Sequence, residues 1–183
     1  MIYREARPEE ADAVYEMVID LALTEARYRA DATGEEESSD WSKLQLTPLD
    51  MRNCIDPSSS LFCARSILAI TDDGEIVGQA LHNVDPDTLF VSWLGPQKAK
   101  SNRDADTLGG QPRVHLDELY VKKAHRGGKV GSMLFSIVKD YADMLEQKLT
   151  LLVDDANTGA GRFYRAKGMV LDEQLDSYKR LKL

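Results

Sequence analysis

The run His125-Arg126-Gly127-Gly128-Lys129-Val130-Gly131-Ser132 places three glycines and three basic side chains within eight residues. Glycines let backbone N–H groups approach an anion closely, and a helix starting there adds the positive end of its dipole. The spacing is neither GxxxxGK[ST] nor GxGxxG, and taken alone the segment reads equally well as a strand-to-helix turn that uses glycine for geometry. Just upstream, Asp117 and Glu118 stand side by side in the apolar run VHLDELYV. Carboxylates in a strand are costly to bury unless they have partners or work to do. Strand side chains alternate between faces, so one of the two reaches a given cleft, and Asp117 is expected to share its face with Leu119 and Val121. Tyr164, in GAGRFYRAKG, is a phenol that a helix either presents as an acid or packs against a sheet. His82, His115 and His125 show no metal-ligand spacing and no Cys–His arrangement, so no metal is expected and surface or cap roles suit them. Trp41 and Trp93 fit core or cleft packing equally.

These residues need a scaffold, and the pattern of the chain supplies one. Ile2 to Ala6 reads as a strand, and Pro8 opens a helix whose first turn carries Glu9, Glu10 and Asp12. Val14, Met17, Val18 and Leu21 recur at helical spacing. Residues 30–60 are polar, broken by Gly34, Pro48 and Pro57, with a shorter helix expected around Leu49 to Cys54. Ser66 to Thr71 and Glu75 to Leu81 form a hairpin through Asp72-Asp73-Gly74. Leu89 to Leu94 is read as a possible extension of that sheet, and Gly95 to Gln111 as an exposed loop. Val114 to Val121 is a strand, Gly131 to Gln147 an amphipathic helix, Leu149 to Val153 a strand, and Thr158 to Lys167 a helix ended by Gly168. Met169 to Leu171 and Tyr178 to Leu183 close the sheet. Interleaved helices and strands around one mixed sheet give an α/β or α+β single domain over residues 1–183, with 30–60 and 95–112 as variable segments.

Composition bounds the function. The 183 residues are 43% hydrophobic and 30% charged, with a formal net charge of −8. Nucleic acid is a poor partner for such a chain, whereas a cationic small molecule is attracted; solubility alone explains the acidity equally well. No stretch approaches the roughly 18–20 apolar residues of a membrane span, and the first residues lack a signal peptide's apolar region. Cys54 and Cys63 do not make a secreted disulfide scaffold, so a reduced, cytoplasmic setting is expected.

LDELYVKKAHRGGKVGSML, followed by LTLLVDDANTGAGRFYRAKGM, resembles the core of the GNAT superfamily of N-acetyltransferases. That superfamily carries a strand L-x-x-L-x-V, then R/Q-x-x-G-x-G/A at a helix start, and later a strand, an Asn and A-x-x-F-Y-x-x-x-G-F. Arg126 and Gly131 match the outer positions of the first motif. Asn157, Ala160, Phe163, Tyr164 and Gly168 match the second in order and spacing, and the opening IYREARPEEADAV resembles the usual first strand and helix. Lys129 stands where the family has its inner glycine. That loses freedom at positive φ and predicts a reshaped turn with an ammonium near the CoA phosphates. Met169 replaces the family's Phe.

The resemblance implies a mixed, mostly antiparallel central sheet flanked by helices on both faces, acetyl-CoA as co-substrate, and direct attack by an amine while both substrates are bound. It implies cofactor contacts at Leu119, Tyr120 and Val121 on the strand, with the Leu119 N–H as oxyanion donor. Further contacts fall at Arg126, Gly127, Gly128, Lys129, Val130, Gly131 and Ser132 in the turn, and at Asn157, Ala160 and Tyr164 beyond it. Tyr164 is the implied acid for the departing thiolate. Asp117 takes the place of an acidic residue that handles the amine in diamine acetyltransferases, with Glu118 or an intervening water as alternatives. The overall layout, including Glu25 and the acidic segment after it, is most similar to the diamine and polyamine branch. An aminoglycoside or a protein amine would suit the same features. A non-catalytic CoA-binding regulatory module is the reading from another class, and a homodimer is expected from family likeness.

Overall fold

A computed structural model describes residues 1–34, 47–59, 64–83, 113–175 and 178–183. The strand expected at 89–94 and the loop at 95–111 lie outside them. The chain enters through β1 (Ile2–Glu5) and a single 3-10 turn, Pro8–Glu10, that leads into α1 (Ala11–Thr33). Helix α1 is longer than its polar second half suggested: it runs past Ala30 and stops at Gly34, whose φ of 70° is the left-handed cap that glycine adopts freely. Helix α2 (Pro48–Ile55) starts at a reciprocal cap, in which Thr47 N–H donates to Asp50 Oδ2 at 2.9 Å and Asp50 N–H donates to Thr47 Oγ1 at 3.2 Å.

The hairpin of β2 (Ala64–Ile70) and β3 (Ile76–Asn83) follows, and then β4 (Arg113–Val121). A 3-10 turn at Lys123–His125 leads to α3 (Val130–Met144), β5 (Lys148–Asp154), α4 (Thr158–Ala166), β6 (Val170–Leu175) and β7 (Tyr178–Lys182). Among the described residues the strands form one sheet in the order β1-β2-β3-β4-β5-β7-β6. Every neighbouring pair is antiparallel except β4 and β5.

Apolar side chains cover both faces of this sheet. Leu134, Phe135 and Val138 of α3 pack on Leu116, Leu149 and Leu151, and Val14, Met17 and Met51 of α1 and α2 pack on Leu68 and Leu81. Neither face can stay in water, so the helices divide between them. Removing the fully buried Phe135 side chain would cost about 3–5 kcal/mol.

One irregularity shapes the site. Along β3 and β4, Leu81 faces Glu118 but His82 faces Leu116, so Asp117 is an extra residue in β4. Such a bulge bends its strand and sharpens the local twist. On the other edge of β4, pairing with β5 runs from Arg113 with Lys148 to Leu116 with Leu151 and ends there. Beyond the bulge, β4 and β5 part company and leave a gap in the middle of the sheet.

Candidate active site

The gap opens into a cavity of about 650 Å³ bounded by β4, the turn after it, α4 and the second half of α1. Its back wall is the stretch Leu119 to Val121. The Lys122 N–H donates to the Val77 carbonyl, so it points toward β3, and the Tyr120 carbonyl crowds Gly78 on that same side. Backbone groups two residues apart point alike in a strand. The Leu119 and Val121 N–H groups therefore face the gap, where no strand pairs with them. The Val121 carbonyl accepts from Arg126 Nε at 2.7 Å, and the Leu119 and Val121 amides are the donors aimed into the opening.

Tyr120 lines the cavity with its side chain, its own amide being turned to β3. Its hydroxyl donates to Asp20 of α1, and the Arg126 guanidinium lies 5.8 Å from its ring centroid. Burial, and next the bond to Asp20, push the phenol up to about 12.

The mouth is the glycine turn. Gly127 carries the positive φ, 80°, and a Cβ placed there would meet nothing within 4 Å. Lys129 sits at φ −86° and ψ −6° as the cap of α3, so lysine at the family's glycine position strains nothing. The first bond of α3 is donated by the Met133 amide to the Lys129 carbonyl. The amides of Val130, Gly131 and Ser132 therefore have no partner within the helix and give the mouth its donors. Gly128, Gly131 and Ser132 line the cavity, but Lys129 and Val130 do not: the Lys129 side chain is exposed and Val130 packs into the core beside Leu134.

The opposite wall comes from α4. Asn157 Oδ1 accepts from the Ala160 N–H at 3.0 Å, capping the helix, and both residues line the cavity. Tyr164 is 8% exposed, its ring 5.2 Å from Phe163 and 6.0 Å from Phe135. Burial raises its pKa above the usual phenol value, and the charges of Glu118 and Glu25 raise it further. Neither Glu118 nor Glu25 is among the residues that line the cavity.

Of the strand carboxylates, Glu118 is the buried one, at 5% exposure. It stands in the row Ser66, Leu81, Glu118 on the α1 face of the sheet. Asp117, on the bulge, accepts from Asn83 Nδ2 at 3.2 Å. Sequence reasoning did not single out Thr24 and Tyr28, which line the cavity from α1, nor Arg162 from α4, and it took Leu21 for core and Phe163 for a motif position only. The spacing of three and four residues along α1 was the available signal. Among the described residues no group of His, Cys, Asp and Glu has the makings of a metal site, and no helix is long and apolar enough to cross a membrane.

A family model for acetyltransferases of the GNAT type matches residues 20–169, a span that holds the gap, the glycine turn and α4. The chain belongs to the acetyltransferase (GNAT) family. Solved GNAT-like structures share its fold at low identity. The BH1408 protein from Bacillus halodurans, solved as a tetramutant, is 20% identical with a TM-score of 0.67, over 95% of this chain and 96% of that one. The PaiA N-acetyltransferase from Thermoplasma acidophilum, in complex with coenzyme A, is 16% identical with a TM-score of 0.67, over 99% and 96%. An N-acetyltransferase from Staphylococcus aureus Mu50 is 15% identical with a TM-score of 0.65, over the full length of both. No curated protein matches the sequence. As a GNAT member the protein is an acetyl-CoA-dependent N-acetyltransferase, and its mostly antiparallel sheet with helices on both faces is the fold expected of one.

Proposed function

We propose that this acetyltransferase passes the acetyl group of acetyl-CoA to a primary amine on a small polycationic molecule, of the diamine or polyamine kind, by direct attack with both substrates bound. The observation that carries this reading is the buried Tyr164 of α4 lining the same opening as the Leu119 to Val121 stretch of β4, with the buried carboxylate of Glu118 next to Leu119 in that strand. The residues present fit acetyl-CoA: partnerless amides at the start of α3 suit a pyrophosphate, and the unpaired edge of β4 suits an extended amide-bearing arm. When bound, acetyl-CoA supplies an acetyl thioester.

The residues of the chain then divide the work. An alkylamine has a pKa of about 10.4, so holding it neutral at pH 7 costs about 4–5 kcal/mol. Glu118 takes the ammonium proton, directly or through a water, and we assign it the base role in preference to Asp117 because it is the more deeply buried of the two. The Leu119 N–H faces the position where the carbonyl oxygen gains charge. Tyr164 holds its proton through the neutral range because its pKa is raised, and gives it to the departing thiolate. The net charge of −8 favours a cationic acceptor over a neutral one.

The test is release of free CoA from acetyl-CoA in the presence of spermidine, short diamines, aminoglycosides or N-terminal peptides. Turnover confined to the polyamines supports the reading, whereas turnover with aminoglycosides or peptides alone reassigns the acceptor. Tight acetyl-CoA binding without turnover of any amine points instead to a regulatory module.

A further inference from the structure

Helix α1 touches the two sides of the gap at two places. Asp20 receives the Tyr120 hydroxyl from β4, and Arg29 Nε donates to Asp154 Oδ2 at the end of β5. Asp20 and Arg29 are about 14 Å apart along the helix, so α1 lies across the opening with one tie on each strand. Thr24 and Tyr28, between or beside these ties, face the cavity.

Asp154 has a second engagement. Its Oδ1 accepts from the Ala156 N–H at 2.9 Å, and its backbone carbonyl accepts from the Asn157 N–H at 2.9 Å. This tight turn sets Asn157, which caps the helix carrying Tyr164. The Asp154 side chain is 2% exposed and that of Arg29 43%, and Glu25 lies on the other flank of the guanidinium at 3.8 Å. A carboxylate so deeply placed needs its cation, and here that cation comes from the far side of the gap rather than from a neighbouring strand.

We propose that the Arg29–Asp154 ion pair is a positioning clamp across the open end of the β4–β5 gap, fixing the width left for acetyl-CoA and the placing of Tyr164 against the α1 wall. The proposal rests on the reading of the gap as the acetyl-CoA site, and it is independent of which amine accepts the acetyl group. Neither residue touches the reacting atoms. Both act through what they hold: Arg29 through α1, and Asp154 through the turn into α4. Misplacing a bound group by about 1 Å costs up to about a hundredfold in rate, so a shift of this tie is felt in both binding and turnover.

The experiment measures acetyl-CoA affinity by calorimetry, well below the melting temperature, for wild type, Arg29→Gln, Asp154→Asn, the double variant and Arg29→Lys. Asp154→Asn keeps the acceptor for the Ala156 amide and so spares the turn. The expected result is about tenfold weaker binding in each single variant, no further loss in the double variant, and recovery to within about threefold in Arg29→Lys. Tyr164→Phe is then expected to lose less kcat in the Arg29→Gln background than alone, a coupling that a general loss of stability does not produce. Binding within twofold of wild type in both single variants overturns the clamp, as does a double variant whose loss is the product of the two. Failure of the wild type itself to bind acetyl-CoA removes the site reading and the clamp together.

Discussion

The mouth of the cleft and its inner wall are built from different materials. The mouth, from Gly127 to Ser132, works mainly through the main chain, using one left-handed glycine and the amides of the first turn of α3. The wall works through side chains, with Tyr28 and Tyr164 brought from α1 and α4 and the carboxylates of Glu118 and Asp154 buried in β4 and β5. A main-chain site tolerates side-chain change, which is why Lys129 can stand at a glycine position at φ −86° without strain. A side-chain site holds only as well as the packing around each member.

Loss of a wall residue is therefore expected to exceed loss of a mouth residue. Tyr164→Phe should lower kcat by about 300-fold with little change in the KM for acetyl-CoA, since general acid catalysis contributes about 10²–10⁴-fold. An unchanged kcat in the CoA-release assay would move the acid elsewhere. Glu118→Gln should lower kcat/KM for the amine by about 100-fold at pH 7. That deficit should shrink toward pH 10, where the amine is neutral unaided, and Asp117→Asn should lose less than about fivefold. The reverse ranking would return the base to the bulge.

A third test separates the scaffold from both surfaces. His82 is buried among the strands, and burial pushes its pKa down from 6.5 to about 4. The native state refuses a proton that the unfolded chain accepts between those values, so stability is full above pH 6.5 and falls as the pH drops toward 4. The loss should reach about 3 kcal/mol by pH 4, and His82→Leu should flatten the decline of Tm over that range while leaving turnover at pH 7 intact. The smallest effect belongs to the mouth. Gly127→Ala meets no steric obstacle but forces an L side chain to φ 80°, at a cost of about 1–2 kcal/mol. The KM for acetyl-CoA should rise several-fold, with kcat kept, and Gly128→Ala should do less.

The same contrast explains what was legible in the sequence. Glycine spacing and an apolar period announce a strand, a turn and a helix, so β4, the turn and α3 were placed to within a few residues. The short helix expected around Leu49 to Cys54 is α2, Pro48–Ile55, and Asp72-Asp73-Gly74 marked the hairpin. The bulge at Asp117 carries no glycine or proline to signal it, and strict alternation along VHLDELYV could not foresee the extra residue that tips β4 away from β5. Arg29 and Asp154 lie far apart in the chain, so their pairing depends on where α1 crosses the sheet. The full length of α1 was missed because its second half is polar: it is held by Arg29 and Tyr28 at the cleft rather than by a continuous apolar stripe.

The short ladder between β4 and β5 has a consequence for how the molecule comes apart. From Arg113 with Lys148 to Leu116 with Leu151, it is the backbone seam between an antiparallel block, β1 to β4, and a second block, β5 with β7 and β6. Each block is zipped by its own hairpins, so local opening should begin at the seam. A ligand seated there acts as a rivet between the halves. At a hundredfold excess over its Kd such a ligand adds about 2.7 kcal/mol to stability. Hydrogen exchange should show that gain first at the amide of Thr150, which faces β4, while the β2–β3 hairpin exchanges at its own pace.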